Sequence, residues 1–133
     1  MQSLKIPVEE AFRALGDSTR LRIVRLLATT NEEACLCEFV DSLLEPQYKL
    51  SRHLKILRQA GLLGAEKEGR WVYHQLVSGT EHFETLYGWI AALPDPDGDH
   101  AADRKRFEKR LAHREAGRCR VGVLTKTLKS EAV

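Results

Sequence analysis

The chain has 133 residues, 43% of them hydrophobic, and 21 Lys and Arg against 19 Asp and Glu leave a formal net charge of +2. That length suits one domain around one core, and so small a net charge does not argue for nucleic acid unless its distribution does. There is no charged-then-apolar leader and no apolar run approaching about eighteen residues, so a cytoplasmic protein with no membrane partner is expected. No glycine-rich phosphate loop, nucleophile–base set or metal–water motif supports an enzyme. Three cysteines, an odd number, do not make a disulfide framework and read as ligands, redox thiols or core filler.

From Pro7 to Leu15 a short helical pattern puts Val8, Phe12 and Leu15 on one face, and Gly16-Asp17-Ser18 breaks it. Asp17 can cap the next helix, in which Leu21, Ile23, Val24, Leu26 and Leu27 bury a wide face against Arg20, Arg22 and Arg25. Thr30-Asn31-Glu32-Glu33 reads as a capping box opening a helix that carries Cys35, Cys37, Phe39, Val40, Leu43 and Leu44. Between Asn31 and Glu45 the charges are all acidic; from Pro46 to Ala60 they are all basic. In that second stretch Leu50, Leu54 and Leu57 keep the period of one buried helix face. The opposite face presents Gln47, Tyr48, Lys49, Ser51, Arg52, His53, Lys55 and Arg58. Amide, hydroxyl and basic groups on a short helix can hydrogen-bond base edges and neutralise phosphates, although such a face is often simply solvated. Pro46 suits the first turn and Gly61 a left-handed cap, so two helices joined by a tight turn make a helix-turn-helix candidate.

After Gly61 the period changes to two. Leu62–Lys67 and Trp71–Leu76 read as strands around the turn Glu68-Gly69-Arg70, a wing with Lys67 and Arg70 near its tip. Thr80 offers another cap, and Phe83, Leu86, Tyr87, Ile90 and Leu93 form an apolar stripe that ends at Pro94. That stripe is either internal core or a two-fold interface; the interface, with Phe83, Leu86, Tyr87 and Ile90 joined by Val8 and Phe12, suits a homodimer reading palindromic DNA. Asp95–Asp99 is a linker; its glycine is misplaced for a calcium loop. His100 to Ala116 reads as a surface helix, and from Arg104 to Lys129 ten basic residues face only Glu108 and Glu115, the pattern of a disordered basic tail. The expected organisation is a winged helix-turn-helix domain over 1–93, mainly α with a small β-hairpin, followed by a charged linker, surface helix and tail over 94–133.

Asp17–Leu27, Ser51–Leu57 with Ala60-Gly61-Leu62, and Gly69–Tyr73 resemble, in register, the opening helix, recognition helix and wing of the ArsR/SmtB family of metal-responsive repressors. The resemblance covers roughly Pro7 to Leu93. It implies a winged helix-turn-helix homodimer that represses its own operon by binding double-stranded operator DNA, an inverted repeat, and releases it when an inducer binds. Cys35-Leu36-Cys37 lies where the arsenic-sensing branch has Cys-x-Cys-x-x-Cys, with Val40 at the third position. The implied inducer is As(III) or Sb(III), soft centres suited to thiolates, with Cys119 the remaining thiol able to complete a three-sulfur set. Cd(II) or Pb(II) at the same thiols, or oxidation of a thiol pair by peroxide or reactive sulfur, are the alternatives. The zinc site that the family resemblance also implies on its last dimer helix finds no matching pattern among Glu81, His82, Glu84, His100, Asp103 and His113, so the histidines are expected at the surface, with His53 serving the DNA face or its support. On one regular helix Cys35 and Cys37 would point about 200° apart, so gripping one ion should unwind that helix beside the recognition helix.

Overall fold

The computed structural model describes residues 8–131. Pro7, the expected start of the first helix, lies outside them, as do residues 1 and 133, the outer ends of the two expected ranges. Among the described residues there are seven helices and three strands: α1 (Val8–Leu15), α2 (Ser18–Thr30), β1 (Ala34–Cys35), α3 (Leu36–Leu43), α4 (Gln47–Gln59), β2 (Leu63–Glu68), β3 (Trp71–Leu76), α5 (Glu81–Ala91), α6 (Asp99–Leu111) and α7 (Thr125–Glu131).

The local signals around α2 and α4 act as expected. The Asp17 carboxylate accepts from the Thr19 and Arg20 amides, satisfying two of the donors that a helix start leaves orphaned. Ile23, Val24, Leu26 and Leu27 of α2 meet Leu50, Leu54 and Leu57 of α4 in one core. Pro46 precedes α4 in an extended conformation. Gly61, with φ of 81°, turns the chain out of the helix, a conformation that costs a residue with a Cβ. Gly69, with φ of 62°, does the same between β2 and β3, which pair antiparallel from Leu63↔Leu76 to Glu68↔Trp71. The hairpin gains a third strand: β1 pairs with β3 through Ala34↔His74 and Cys35↔Tyr73, giving the order β1-β3-β2.

Three expectations are corrected here. Thr30 and Glu33 do not open the cysteine helix; α2 runs on to Thr30, whose hydroxyl bonds back to Leu26 O, and stops at Asn31 in a left-handed conformation. The helix begins at Leu36, and Glu38 takes the reaching-back role, accepting from the Cys35 amide at 3.0 Å. Cys35 is therefore on a strand and Cys37 on a helix, and the 200° argument does not apply to them.

The second correction concerns the surface helix and the tail. α6 is shorter than the 100–116 span, and its Asp103, Phe107 and Arg110 are buried where it packs on α3 and α2. Residues 112–124 loop back over α3, and α7 closes the end with Leu128 buried. Only two apolar residues marked that helix, because much of its buried face is an ion-paired one. The third correction is His74, which is buried rather than at the surface.

The apolar stripe of α5 divides. Tyr87 and Ile90 point into this chain's own core, and the Tyr87 hydroxyl donates to Leu62 O. Phe83 and Leu86 are partly buried against it. Val8, Phe12 and Trp89 stay exposed, at 65, 56 and 62%.

Candidate nucleic-acid interface and thiol centre

Leu50, Leu54 and Leu57 anchor α4 so that Gln47, Tyr48, Ser51, Arg52, Lys55 and Arg58 face solvent. Lys67 and Arg70 are exposed on the wing, and the Arg70 guanidinium lies over the Trp71 ring at 5.2 Å. Two predicted contact residues are otherwise engaged. Lys49 is ion-paired with Glu45 at 2.8 Å, one turn back. His53 is half-buried, its Nδ1 3.2 Å from Arg20 and 4.0 Å from Asp17; burial first holds its pKa below the ordinary value. Its position is that of a brace between α2 and α4.

The three cysteines come together. Cys35, Cys37 and Cys119 share a buried cluster with Tyr73, although Cys119 is 82 residues from Cys37. The Cys37 and Cys119 sulfurs are 3.6 Å apart. The Sγ atoms of Cys35 and Cys119 and a carboxylate oxygen of Glu38 lie within 4.8 Å of one another. Cys119 is held by its amide, which donates to the Tyr73 hydroxyl at 2.8 Å. Burial is the chief reason that the Cys35 thiol is raised well above its ordinary pKa and the Cys37 thiol is pushed up to about 12. Both are thiols, not thiolates, at neutral pH.

Around the sulfurs stands a layer of buried ion pairs that sequence reasoning missed. Arg110, fully buried, donates from Nε to Asp41 at 2.6 Å. Its Nη2 donates to the Val121 and Gly122 carbonyls and lies 3.7 Å from the Cys37 and Cys119 sulfurs. Asp41 also accepts from the Leu124 amide and the Thr125 hydroxyl, fixing the start of α7. Arg114 donates twice to Glu38 at 2.8 Å; burial pulls the arginine's pKa down, but the hydrogen bonds and charge of Glu38 outweigh it and hold the pKa above its ordinary value. At the edge of this layer Arg118, only part-buried, bonds Glu33 and the exposed Glu68 and lies 3.9 Å from the Tyr73 ring centre. The signal was legible in part: acids at 38 and 41 on the apolar face of a helix need buried cations, and the tail has them.

As a binding set, three soft sulfurs with buried carboxylates already committed to arginine fit a thiophilic centre better than a hard cation. A trivalent centre with three thiolates carries no net charge, so it can remain where three separate thiolates could not.

Residues 17–64 match the family described as bacterial regulatory protein, arsR family. The chain is 47% identical over 68 residues to an uncharacterized HTH-type transcriptional regulator of Methanocaldococcus jannaschii, over 51% of this chain and 75% of that protein. It is 43% identical over 74 residues to the arsenical resistance operon repressor of Escherichia coli, over 56% of this chain and 62% of that one. Against the HTH-type transcriptional repressor SmtB of Mycobacterium tuberculosis it is 42% identical over 67 residues, 50% of this chain and 48% of the relative. The chain thus spans less than two thirds of the last two. No helix among the described residues is long and apolar enough to cross a membrane.

Proposed function

Because the chain belongs to the arsR family of bacterial regulatory proteins, we propose that it is a homodimeric repressor that releases operator DNA when As(III) or Sb(III) binds the thiolates of Cys35, Cys37 and Cys119. The observation that carries this is the meeting of Cys119 with the sequence-distant pair Cys35 and Cys37 in one buried cluster, at the helix that packs on α4. The names of the relatives, arsenical resistance operon repressors of Escherichia coli and Bacillus subtilis, support the choice of inducer.

Cys35, Cys37 and Cys119 would hold the trivalent centre, which would tie their sulfurs covalently: each thiol proton would leave with one hydroxide of the trihydroxide as water, so that three waters depart as three sulfurs bind. Everything else is the work of the chain. Cys35 belongs to β1, hydrogen-bonded to the wing strand β3, and Cys37 belongs to α3, packed on α4. Drawing their sulfurs together loads both DNA-contacting elements, which makes inducer and operator competing ligands of one conformational equilibrium. On DNA, Gln47, Tyr48, Ser51, Arg52 and Lys55 read a major groove, with His53 and Lys49 supporting from the flank. Lys67 and Arg70 follow the backbone from the wing. The second copy meets α1 and α5 through Val8, Phe12 and Trp89 with the outer edges of Phe83 and Leu86, while Tyr87 and Ile90 hold α5 from within.

The test is operator binding by fluorescence anisotropy with and without sodium arsenite. Cys35→Ser and Cys37→Ser should each bind operator and lose release, since serine keeps the size and removes the soft donor. Cys119→Ser should lose part of the response, with X-ray absorption counting two sulfurs instead of three. A normal arsenite response from both Cys35→Ser and Cys37→Ser would sink the proposal. One observation favours a redox reading as well: sulfurs 3.6 Å apart are a short movement from a disulfide. Peroxide would join Cys37 to Cys119 with loss of two waters, and a response to peroxide but not arsenite would select that reading.

A further inference from the structure

A cavity of about 590 Å³ is lined by Cys35 and Cys37 together with Gln47 and Ser51 of α4 and Arg70 and Trp71 of the wing. The cysteines themselves are nearly closed off: Cys35 is 2% and Cys37 9% exposed, and the sulfur of the fully buried Cys119 lies 3.6 Å from that of Cys37. A solute reaching the sulfurs from this side passes between the recognition helix and the wing. We infer that this cleft is the inducer's access route to the thiols and that bound operator closes it, so that inducer captures the DNA-free protein and does not attack the operator complex. The inference rests on the DNA-binding and thiol-sensing reading above and adds an order of events to it.

The chemistry of the cleft fits both roles. Among its lining residues Arg58 and Arg70 are exposed, and the buried or part-buried Leu54 and Leu36 are apolar. A small neutral solute, such as the trihydroxide of As(III), has no charge to be held by those arginines and avoids the much larger cost of carrying a charge past apolar side chains. A duplex resting on Gln47 and Ser51, with Arg70 against its backbone, lays a polyanion across the same lining residues. Competition then begins at the opening itself, before any change of shape follows from sulfur binding.

Stopped-flow release of a labelled operator from the full chain tests this. Sodium arsenite, raised over a wide concentration range, should drive release only up to the rate found when excess unlabelled operator traps the protein. A release rate that keeps climbing past that ceiling overturns the inference, because the thiols would then be reached within the complex. Iodoacetamide labelling, counted cysteine by cysteine by mass spectrometry, is the second arm. Operator should slow Cys35 and Cys37 by at least about ten-fold, and Cys119, which reacts only through local opening, by less. Equal slowing of all three means general damping and overturns the inference, as does no slowing while anisotropy shows operator bound. A protein that binds operator but ignores arsenite would defeat the sensing reading instead, and the labelling arm would still decide the access route. Failure to bind operator at all would defeat both.

Discussion

The basic residues of α4 and the wing and the arginines at the end of α6 and just beyond it are the same chemistry put to opposite uses. Gln47, Ser51, Arg52, Lys55, Lys67 and Arg70 reach solvent from a frame held by Leu50, Leu54 and Leu57. Arg110, Arg114 and Arg118 turn inward onto Asp41, Glu38, Glu33 and Glu68. The first set is available to a polyanion; the second is already neutralised and holds a loop against α3 with Cys119 at its centre. A count of charges along the chain makes the tail look like a strong polyanion-binding segment, and the pairing takes Arg110, Arg114 and Arg118 out of that count.

The sharpest way to break this contrast is to remove one cation from each set. Arg110→Met leaves Asp41 buried without its ionic partner, although the Leu124 amide and Thr125 hydroxyl remain. Breaking a buried pair from one side should cost about 3–5 kcal/mol. Arg52→Met, at an exposed site, should change stability by no more than about 0.5 kcal/mol. Urea unfolding followed by circular dichroism measures both. Equal costs would mean that the Arg110–Asp41 pair is not the fastening it is taken to be.

What the sequence made legible follows the range of the interactions. The Asp17 cap, the Leu50–Leu54–Leu57 stripe and the Gly69 turn are each decided within a few residues, and each is found where local pattern puts it. The thiol centre is half legible. Cys35 and Cys37 announce themselves by spacing, but Cys119 reaches them only through a fold that Arg110, Arg114 and Tyr73 assemble from distant segments. The helix start was misplaced by five residues because Thr30 and Glu33 match a capping box as well as Cys35 and Glu38 do; β1 was missed because two residues carry no period. An apolar stripe such as that of α5 says that a face is buried, and Tyr87 and Ile90 show that the partner is partly the same chain.

His74 sits where the two regions meet, on β3 with β1 on one side and β2 on the other, and Arg58 of α4 donates to its Nε2 at 2.8 Å. Burial first, and the Arg58 charge second, lower its pKa from 6.5 to about 4. Above 6.5 the imidazole is neutral in both folded and unfolded chains and adds no slope. As pH falls from 6.5 towards 4, the unfolded chain takes up the proton and the folded one resists. Stability should therefore drop by on the order of 3 kcal/mol, levelling off below about 4. His74→Gln keeps an acceptor for Arg58 and removes the titration. The difference in unfolding free energy between wild type and variant should widen at neutral pH relative to pH 4.5; a difference that stays flat across that range would mean His74 is protonated in place.

The smallest effect is the one that separates the two sets on DNA itself. Lys67 lies on β2 opposite Val72, exposed near the turn, and as a phosphate contact it should contribute one released counterion. Lys67→Ala should then weaken operator and scrambled DNA alike and lower the slope of log K against log salt by about 1. Arg52→Ala, by contrast, should lose discrimination between the two duplexes, by about 1–3 kcal/mol if its guanidinium is bidentate to a guanine edge. Arg118→Ala is the control from the other set, because it removes the same formal charge as Lys67→Ala. Its guanidinium is shared between Glu33 and Glu68 and packed on the Tyr73 ring, so no phosphate contact is lost and the salt slope should stay where it was. If Arg118→Ala flattens the slope as much as Lys67→Ala does, the inward arginines contact DNA after all. The clasp over the thiols would then belong to the DNA-binding surface.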